Sequence, residues 1–323
     1  MDIDRARGAH PGAEAASYRM TTSPTPSRTA LLLAFAAIYL IWGSTYLGIR
    51  VAVATIPPFL MAGVRFAIAG SLVFGFLKLR GAAWPTARQW REQAIIGTFL
   101  LLGGNAIVSW SEQTVQSGIT SLILGASPLV MVILDWIRPG GRKPTPPLIV
   151  GVVVGIAGIA FLLGPDAIPT GQRPPMLGIL AIFLSSVFWW TGSLYSKHLR
   201  SDTPLLLASS MQMLCGSVSM LLVGLILGEG RGLNVAEISA RSWVAFSYLV
   251  VAGSVVAFPV YVWLLEHSTP AKVSTYAYVN PVVAVFLGWL ILGEPMNLRI
   301  LMASCVIVGA VAVITVGRSR AAT

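Results

Sequence analysis

Charged residues are scarce in this sequence, and their scarcity excludes a soluble globular protein. Asp, Glu, Lys and Arg make up 11% of the 323 residues, whereas a soluble domain carries about 25%. So few charges cannot cover a water-facing surface. Uncharged runs such as 275–293 recur along the chain, and about 20 apolar residues cross a hydrocarbon layer. The sequence therefore predicts an all-α membrane protein, since a β-barrel would show short alternating segments instead.

Cysteine and histidine are rare as well, and several motifs are missing. Cys215 and Cys305 both fall inside apolar runs, where cysteine packs as a small hydrophobe. No His-Glu-x-x-His pattern and no phosphate-cradling Gly-x-x-x-x-Gly-Lys-Ser/Thr motif occurs, which predicts no metal site and excludes an ATP-driven pump. Without convergent acid, base or metal groups we expect no enzyme and no cofactor.

The net charge of +10 is concentrated in the short gaps between apolar runs, so a nucleic-acid partner is not expected. Most of these Lys and Arg residues fall in alternate gaps and in the tails. The other gaps contain Arg173, Arg231, Arg241 and Arg299. Cytoplasmic loops of membrane proteins are enriched in Lys and Arg. The bias therefore predicts an even number of spans with both termini in the cytoplasm.

Ten apolar segments are candidates for membrane spans. They are predicted at 30–50, 58–79, 91–113, 117–137, 147–164, 175–198, 204–228, 242–266, 270–292 and 297–317. Turn-forming or charged joints such as 138–147 and 164–175 separate them. Residues 1–28 lack an apolar core, and we expect a disordered cytosolic tail there and a short second tail at 318–323.

The first five segments resemble the last five. Trp110 aligns with Trp263 and Pro128 with Pro281, while the segment 41–50 aligns with 188–197. Because five spans are an odd number, the second copy crosses the membrane in the opposite sense. The sequence thus predicts two inverted five-helix repeats, 29–164 and 165–317, around a central cavity, as in many secondary transporters.

Three motifs add a family resemblance. Trp-Gly-Ser at 42–44, a Gly/Ala-x-x-Ser-x-x-x-x-x-x-Pro pattern in the fourth and ninth segments, and Leu-Gly-Glu-Pro at 292–295 resemble the EamA branch of the drug/metabolite transporter superfamily. The closest likeness is to bacterial exporters of amino acids, including aromatic ones. The resemblance implies a multi-pass protein of the bacterial inner membrane that exports amino acids, functions as a monomer and has the lipid bilayer as its other partner. One departure is that the first repeat has Arg-Pro-Gly-Gly-Arg-Lys at 138–143 in place of the acidic motif.

Two prolines inside the matched segments indicate where the substrate binds. Pro281 deprives the carbonyl of Ala277 of its helical partner, and Pro128 does the same to Leu124. Such a carbonyl is tolerated against a neighbouring helix or a wet cavity. Asn280 and the Ser that precedes the other proline add polar side chains at the same depth. We predict that Pro128 and Pro281 are hinges in the cavity wall; the alternative is a packing kink satisfied by a neighbouring helix.

Other polar and aromatic residues inside the segments are expected to face the bundle interior. Tyr and Asn can hydrogen-bond the charged groups of an amino acid, and aromatic faces attract its ammonium. The alternative for the Trp and Tyr residues is an interfacial belt or core packing. The predicted substrate-binding residues are Trp42, Tyr46, Asn105, Trp110, Ser127, Trp189, Tyr195, Tyr276, Tyr278 and Asn280.

Two arginines in or beside apolar segments require a partner. An unpaired charge in a membrane is expensive, so we expect Arg50 or Arg65 to pair with Glu112; contact with a substrate carboxylate is the alternative.

The alternative function is export of another small metabolite or drug. A channel or a membrane enzyme is less favoured.

Overall fold

The computed structural model describes residues 26–137, 143–163, 176–199, 202–231, 233–268, 270–273 and 275–320. Within these ranges the chain is helical and has no strand. The predicted disordered tail 1–28 lies almost wholly outside the described residues. The first half contains α1 Arg28–Ala52, α2 Pro58–Leu79, α3 Ala87–Gly97, α4 Ile107–Ser111, α5 Ser117–Gly125, α6 Ser127–Ile137 and α7 Pro146–Leu162. The second half contains α8 Met176–Leu199, α9 Leu205–Ile226, α10 Ala240–Tyr248, α11 Ala257–His267, α12 Pro270–Val273, α13 Tyr276–Leu292 and α14 Leu298–Arg320.

Seven helical stretches are long and apolar enough to cross a membrane. Three further apolar helices are shorter, at Leu148–Leu162, Tyr276–Leu292 and Leu298–Val313. The long helices carry large exposed apolar residues, among them Leu72 on α2 and Leu222 on α9. The chain is therefore a multi-pass helical membrane protein.

Local sequence signals explain where these helices begin and end. Pro58 occupies the first turn of α2, where its missing N–H has no helical partner to lose. Thr86 and Gln89 form a reciprocal capping box at the start of α3. Gly228 and Gly293 follow α9 and α13 with φ of 80° and 67°, the left-handed conformation that glycine adopts without a steric penalty.

Two π-helical segments interrupt the third and eighth predicted spans. Thr98–Ala106 joins α3 to α4, and Leu249–Val256 joins α10 to α11. In the second of these, the Ser254 hydroxyl donates to the carbonyl of Leu249 at 3.1 Å. Hydrophobic periodicity did not predict these segments, because most of their residues are apolar or glycine and show no clear period. π-Helical turns are frequent at functional sites.

Two predicted spans are broken, and only one breaks beside its proline. The fourth span ends α5 at Gly125 and starts α6 at Ser127, so Pro128 lies in the first turn after the break. In the ninth span the break lies between Val273 and Tyr276, whereas α13 continues through Pro281. The hinge predicted at Pro281 therefore lies inside a continuous helix, about one and a half turns after the break.

Glycines allow helices of the two halves to approach closely. A Cβ on Gly63 of α2 would lie 2.7 Å from Leu221 Cγ of α9, and one on Gly125 of α5 would lie 2.6 Å from Pro281 Cγ of α13. The same Gly125 position is 3.7 Å from the carbonyl oxygen of Ala277. The carbonyl that Pro281 deprives of its helical partner thus faces a neighbouring helix.

Candidate functional site

A cavity of about 980 Å³ lies between the two halves of the chain. Helices α1, α2, α3, α5, α8, α9, α11 and α13 all contribute to its wall, as do both π-helical segments. Ligand sites have volumes of roughly 300–1,000 Å³. The cavity is therefore large enough for a metabolite or a drug-sized molecule.

Most of the predicted binding residues meet in this wall. The structure brings together Trp42, Tyr46, Asn105, Ser127, Trp189, Tyr276 and Asn280, together with Pro128 and Pro281. Trp110, Tyr195 and Tyr278 do not line it. Trp110 packs against the core cluster around Phe66, and Tyr195 is 36% exposed on the outer side of α8.

Aromatic rings form one continuous side of the wall. The ring of Trp42 lies 4.9 Å from that of Tyr261, 5.1 Å from that of Tyr276 and 5.8 Å from that of Phe258, measured between centroids. Three helices, α1, α11 and α13, supply these rings. We call Trp42, Phe258, Tyr261 and Tyr276 the aromatic cluster. Such rings offer apolar area and electron-rich faces to a ligand.

Several buried polar atoms in the wall have no hydrogen-bond partner. They are Oδ1 of Asn105, Nε1 of Trp190 and Oδ1 of Asn280, and all three residues line the cavity. Buried polar groups in proteins are normally satisfied, and each exception requires an explanation. Here the adjacent cavity provides one, because a polar ligand or water in it can reach groups that the protein leaves unpaired.

Arg65 also lies in the wall and is 3% exposed. Its Nε donates to the hydroxyl of Ser254 at 3.0 Å, and its guanidinium lies 4.7 Å from the centroid of the Phe66 ring. Nη1 has no hydrogen-bond partner. The only ion pair within 4 Å among the described residues joins Arg88 to Glu92. The expected pairing of Arg65 with Glu112 is therefore not formed.

Arg50 reaches Glu112 in a different way from the predicted ion pair. Its Nη1 donates to the backbone carbonyl of Glu112, not to the carboxylate. The Glu112 side chain is fully buried, and both of its carboxylate oxygens lack a hydrogen-bond partner. The cost of an unpaired charge in a membrane predicts that an arginine lies near Glu112, but it cannot specify which oxygen the arginine binds.

The cavity extends to one end of the helix bundle and stops short of the other. At the end where α8 leads to α9, its wall includes Ser196, Thr203 and Leu265. At the opposite end, no residue of the described loops 53–57, 112–116 and 293–297 contributes to the wall. We call the end with Ser196, Thr203 and Leu265 the open end, and the opposite end the closed end.

Two glutamates of the second half bind helix N-termini of the first half at the closed end. Glu294 accepts hydrogen bonds from the backbone N–H groups of Ser117 and Gly118 at 2.8 and 3.0 Å, and from the Ser117 hydroxyl at 2.9 Å. Glu229 accepts from the N–H groups of Phe59 and Leu60 at 3.3 and 2.9 Å. A carboxylate at a helix N-terminus satisfies unpaired donors and the helix dipole. Both contacts hold the closed end together.

Sequence reasoning did not select several residues of the wall. Tyr261 belongs to the aromatic cluster, and the amide of Gln212 on α9 donates to Gln93 on the adjacent α3 at 2.7 Å in the cavity wall. An intramembrane glutamine is a signal that could have been used, since polar residues there face the interior. Tyr261 is flanked by apolar residues, and only the tertiary structure distinguishes it from an interfacial tyrosine.

Comparison with known proteins identifies a family of transporters. A sequence model of the EamA-like transporter family matches residues 28–164 and again 176–316. The Escherichia coli (strain K12) protein named "Uncharacterized inner membrane transporter YedA" is 36% identical over 283 residues, covering 87% of this chain and 89% of its own. The Bacillus subtilis (strain 168) "Uncharacterized transporter YoaV" is 25% identical over 280 residues, covering 86% and 94%.

A solved crystal structure has a similar fold, with a TM-score of 0.61 at 21% identity, covering 90% of this chain and 98% of its own. The family resemblance seen in the sequence is confirmed, whereas the relatives' names specify no substrate. The chain belongs to the EamA-like transporter family, and it is a multi-pass membrane transporter.

Proposed function

We propose that this protein is a secondary transporter that exports amino acids, aromatic or of broad range, by alternating access. The observation that carries the proposal is the cavity between the halves, whose wall combines an aromatic cluster with unpaired buried polar atoms. An amino acid has an apolar side chain, a carboxylate and an ammonium. The aromatic cluster suits the side chain or the ammonium, and the unpaired amides suit the polar groups.

The proposed architecture is ten spans in two inverted five-helix repeats. Three observations support it. The family model matches the chain twice, and the π-helices start at the equivalent positions Thr98 and Leu249. The first helix of each half packs on the other half in the same way: α1 packs on α10, α11 and α13, while α8 packs on α4, α5 and α6. Inverted repeats bind substrate at their interface near the bilayer midplane.

The proposed orientation follows the distribution of Lys and Arg. It places both termini and the open end in the cytoplasm of a bacterial inner membrane, so the cavity faces the compartment from which an exporter loads. The monomer contains the whole cavity wall, which supports a functional monomer.

The proposed transport step is a rocking of the two halves that closes the open end and opens the closed end. The break at Gly125–Ser127 and the break before Tyr276 lie beside the cavity and give the wall two flexible points. Pro128 and Pro281 follow these breaks and remain the proposed hinges.

Export of another small metabolite or drug is the second candidate. The observation in its favour is the volume of about 980 Å³, which is at the upper limit of ordinary ligand sites and exceeds what a single amino acid fills.

Counterflow into liposomes that contain the purified protein tests the proposal. A panel of amino acids, sugars and cationic drugs competes with a labelled aromatic amino acid. We expect saturable exchange that amino acids inhibit and the other solutes do not. Exchange of drugs or sugars without exchange of any amino acid would favour the second candidate.

A further inference from the structure

We propose that Arg65 is the anion-binding residue of the cavity and that it holds the carboxylate of the transported molecule. This assignment rests on the proposed function, because it gives that cavity a substrate class: carboxylates rather than neutral or cationic solutes. It is carried by the position of Arg65 in the wall, its burial, its unpaired nitrogen and the lack of a carboxylate within 4 Å of it among the described residues.

The guanidinium is oriented but not neutralised. Its Nε donates to Ser254, which is itself fixed by a hydrogen bond to the carbonyl of Leu249 inside the π-helical segment. An arginine keeps its charge in a protein, and a buried charge without a partner is strongly unfavourable. No carboxylate of the described residues lies within 4 Å of it. An anion that enters the cavity supplies the missing partner.

Gly253 packs closely against the same group. A Cβ at this residue would lie 3.2 Å from Nη2 of Arg65 and 3.2 Å from Cγ2 of Thr45. Gly253 and Thr45 both line the cavity, so the glycine lets the guanidinium lie against the backbone of the cavity wall. Nη1 and Nη2 are the two nitrogens that form an end-on fork to a carboxylate. With Nε already used by Ser254, this end of the group remains for a ligand.

The second repeat provides a natural comparison. Arg65 is the eighth residue of α2, and Gln212 is the eighth residue of α9. Both line the cavity, but the Gln212 amide is paired with Gln93 at 2.7 Å. The two halves therefore differ at equivalent places: one offers a neutral, satisfied amide and the other an unsatisfied cation. Only one of the two positions is suited to a negative charge.

Arg65 and the aromatic cluster line the same cavity. Thr45 is one turn from Trp42 on α1, and its hydroxyl donates to the Trp42 carbonyl at 2.6 Å. A molecule whose carboxylate binds Arg65 shares the cavity with the rings of Trp42, Tyr261 and Tyr276. This geometry favours carboxylates that carry an apolar or aromatic group.

Binding of matched acid and amide pairs to the purified full-length protein tests the assignment. The probes are L-phenylalanine with L-phenylalaninamide and 3-phenylpropionate with 3-phenylpropionamide, measured by microscale thermophoresis. We expect the wild type to bind at least one acid about 10- to 100-fold more tightly than its amide, the range of a charge-assisted hydrogen bond. Arg65→Gln removes that preference, and Arg65→Lys keeps part of it.

A matched control removes a different cation. Arg80→Gln changes an exposed arginine that stacks on Phe76 outside the cavity, and it should leave the preference for acids intact. Should Arg65→Gln fail to give a monodisperse protein, Arg65→Lys and Ser254→Ala provide the test. Each should reduce the ratio of acid to amide affinity, Ser254→Ala because it releases Nε.

The outcomes separate this assignment from the proposed function. Preference for 3-phenylpropionate that depends on Arg65, without binding of an amino acid, supports the assignment and contradicts amino acid export. Amino acid binding whose acid preference survives in Arg65→Gln overturns the assignment and leaves the proposed function standing. The assignment is also overturned if the wild type prefers no acid of either pair.

Discussion

At the scale of single residues, Asn280 has the features of a binding group more than those of a structural one. It is 6% exposed, it lines the cavity and its Oδ1 has no hydrogen-bond partner. A side chain that stabilised the fold would have its polar atoms satisfied. The same reasoning applies to Asn105 in the other repeat, which is also unpaired.

We therefore expect Asn280→Ala to weaken substrate binding while leaving the melting temperature unchanged or slightly higher. The substitution removes an unsatisfied buried oxygen, and a lost hydrogen bond to substrate costs about 0.5–1.5 kcal/mol, or up to roughly tenfold in affinity. Binding and thermal unfolding of the purified variant measure the two effects. A lower melting temperature with unchanged affinity would contradict the assignment.

Asn297→Ala provides the converse control. The Asn297 Oδ1 accepts a hydrogen bond from the N–H of Ile300 at 2.9 Å, at the start of α14 and outside the cavity wall. Loss of a helix cap costs about 1 kcal/mol. This variant should melt at a lower temperature and bind substrate with wild-type affinity.

At the scale of helices, the closed end depends on carboxylates that bind helix N-termini. Glu229 and Glu294 each follow a left-handed glycine, which ends a helix of the second half and directs the next residue onto α2 or α5. These contacts favour a conformation in which the closed end is shut.

We expect the double substitution Glu229→Gln and Glu294→Gln to increase opening at the closed end. Each substitution removes the charge that strengthens the hydrogen bonds of the carboxylate, which weakens them by about 1–2 kcal/mol per site. A change of about 1.4 kcal/mol alters the ratio of two conformations tenfold. A cysteine at Ile49, in the wall nearest that end, should react faster with an impermeant maleimide. Glu237→Gln is the control, since Glu237 is exposed and its carboxylate accepts a hydrogen bond from the side-chain amide of the nearby Asn234 at 2.8 Å. Equal labelling rates in all three proteins would show that the carboxylates do not hold this end closed.

Pro281→Ala tests whether the ninth span bends during transport. The alanine restores a donor to the carbonyl of Ala277 and reduces the contact with Gly125, so α13 becomes straighter and stiffer. We expect a slower exchange rate at saturating substrate with little change in affinity. Counterflow measured over a range of substrate concentrations distinguishes the two, and an unaltered maximal rate would exclude a hinge at this residue.

At the scale of the whole molecule, the apolar segments were predictable and the irregular ones were not. The sequence predicts a span at 58–79 and the helix is Pro58–Leu79, because a proline marks its start while Lys78, Arg80 and Gly81 mark its end. Hydrophobic periodicity does not reveal the π-helical segments, whose residues are mostly apolar or glycine, or the break before Tyr276. They depend on contacts with other helices, which one sequence does not display.

The sequence predicted part of the cavity wall. Residues beside the repeated prolines, such as Ser127 and Asn280, do line it, since both the proline and the polar side chain avoid lipid. Trp110 and Tyr195 are also aromatic residues inside predicted spans, but they lie outside the cavity wall. The position of a residue along a span does not determine which face of the helix meets the cavity. The sequence could not show that no carboxylate of the described residues lies within 4 Å of Arg65. The neighbours of a buried side chain are set by the tertiary structure.

The most direct test of the account labels a single cysteine at Ser127, in a variant with Cys215 and Cys305 replaced by alanine. Ser127 lines the cavity on the first repeat, and cysteine differs from serine by one atom. In oriented membrane vesicles we predict that an impermeant maleimide labels this cysteine from both sides, and that the exchanged amino acid slows labelling from each. Labelling from one side only, at a rate that no transported amino acid changes, would contradict a central substrate cavity with alternating access.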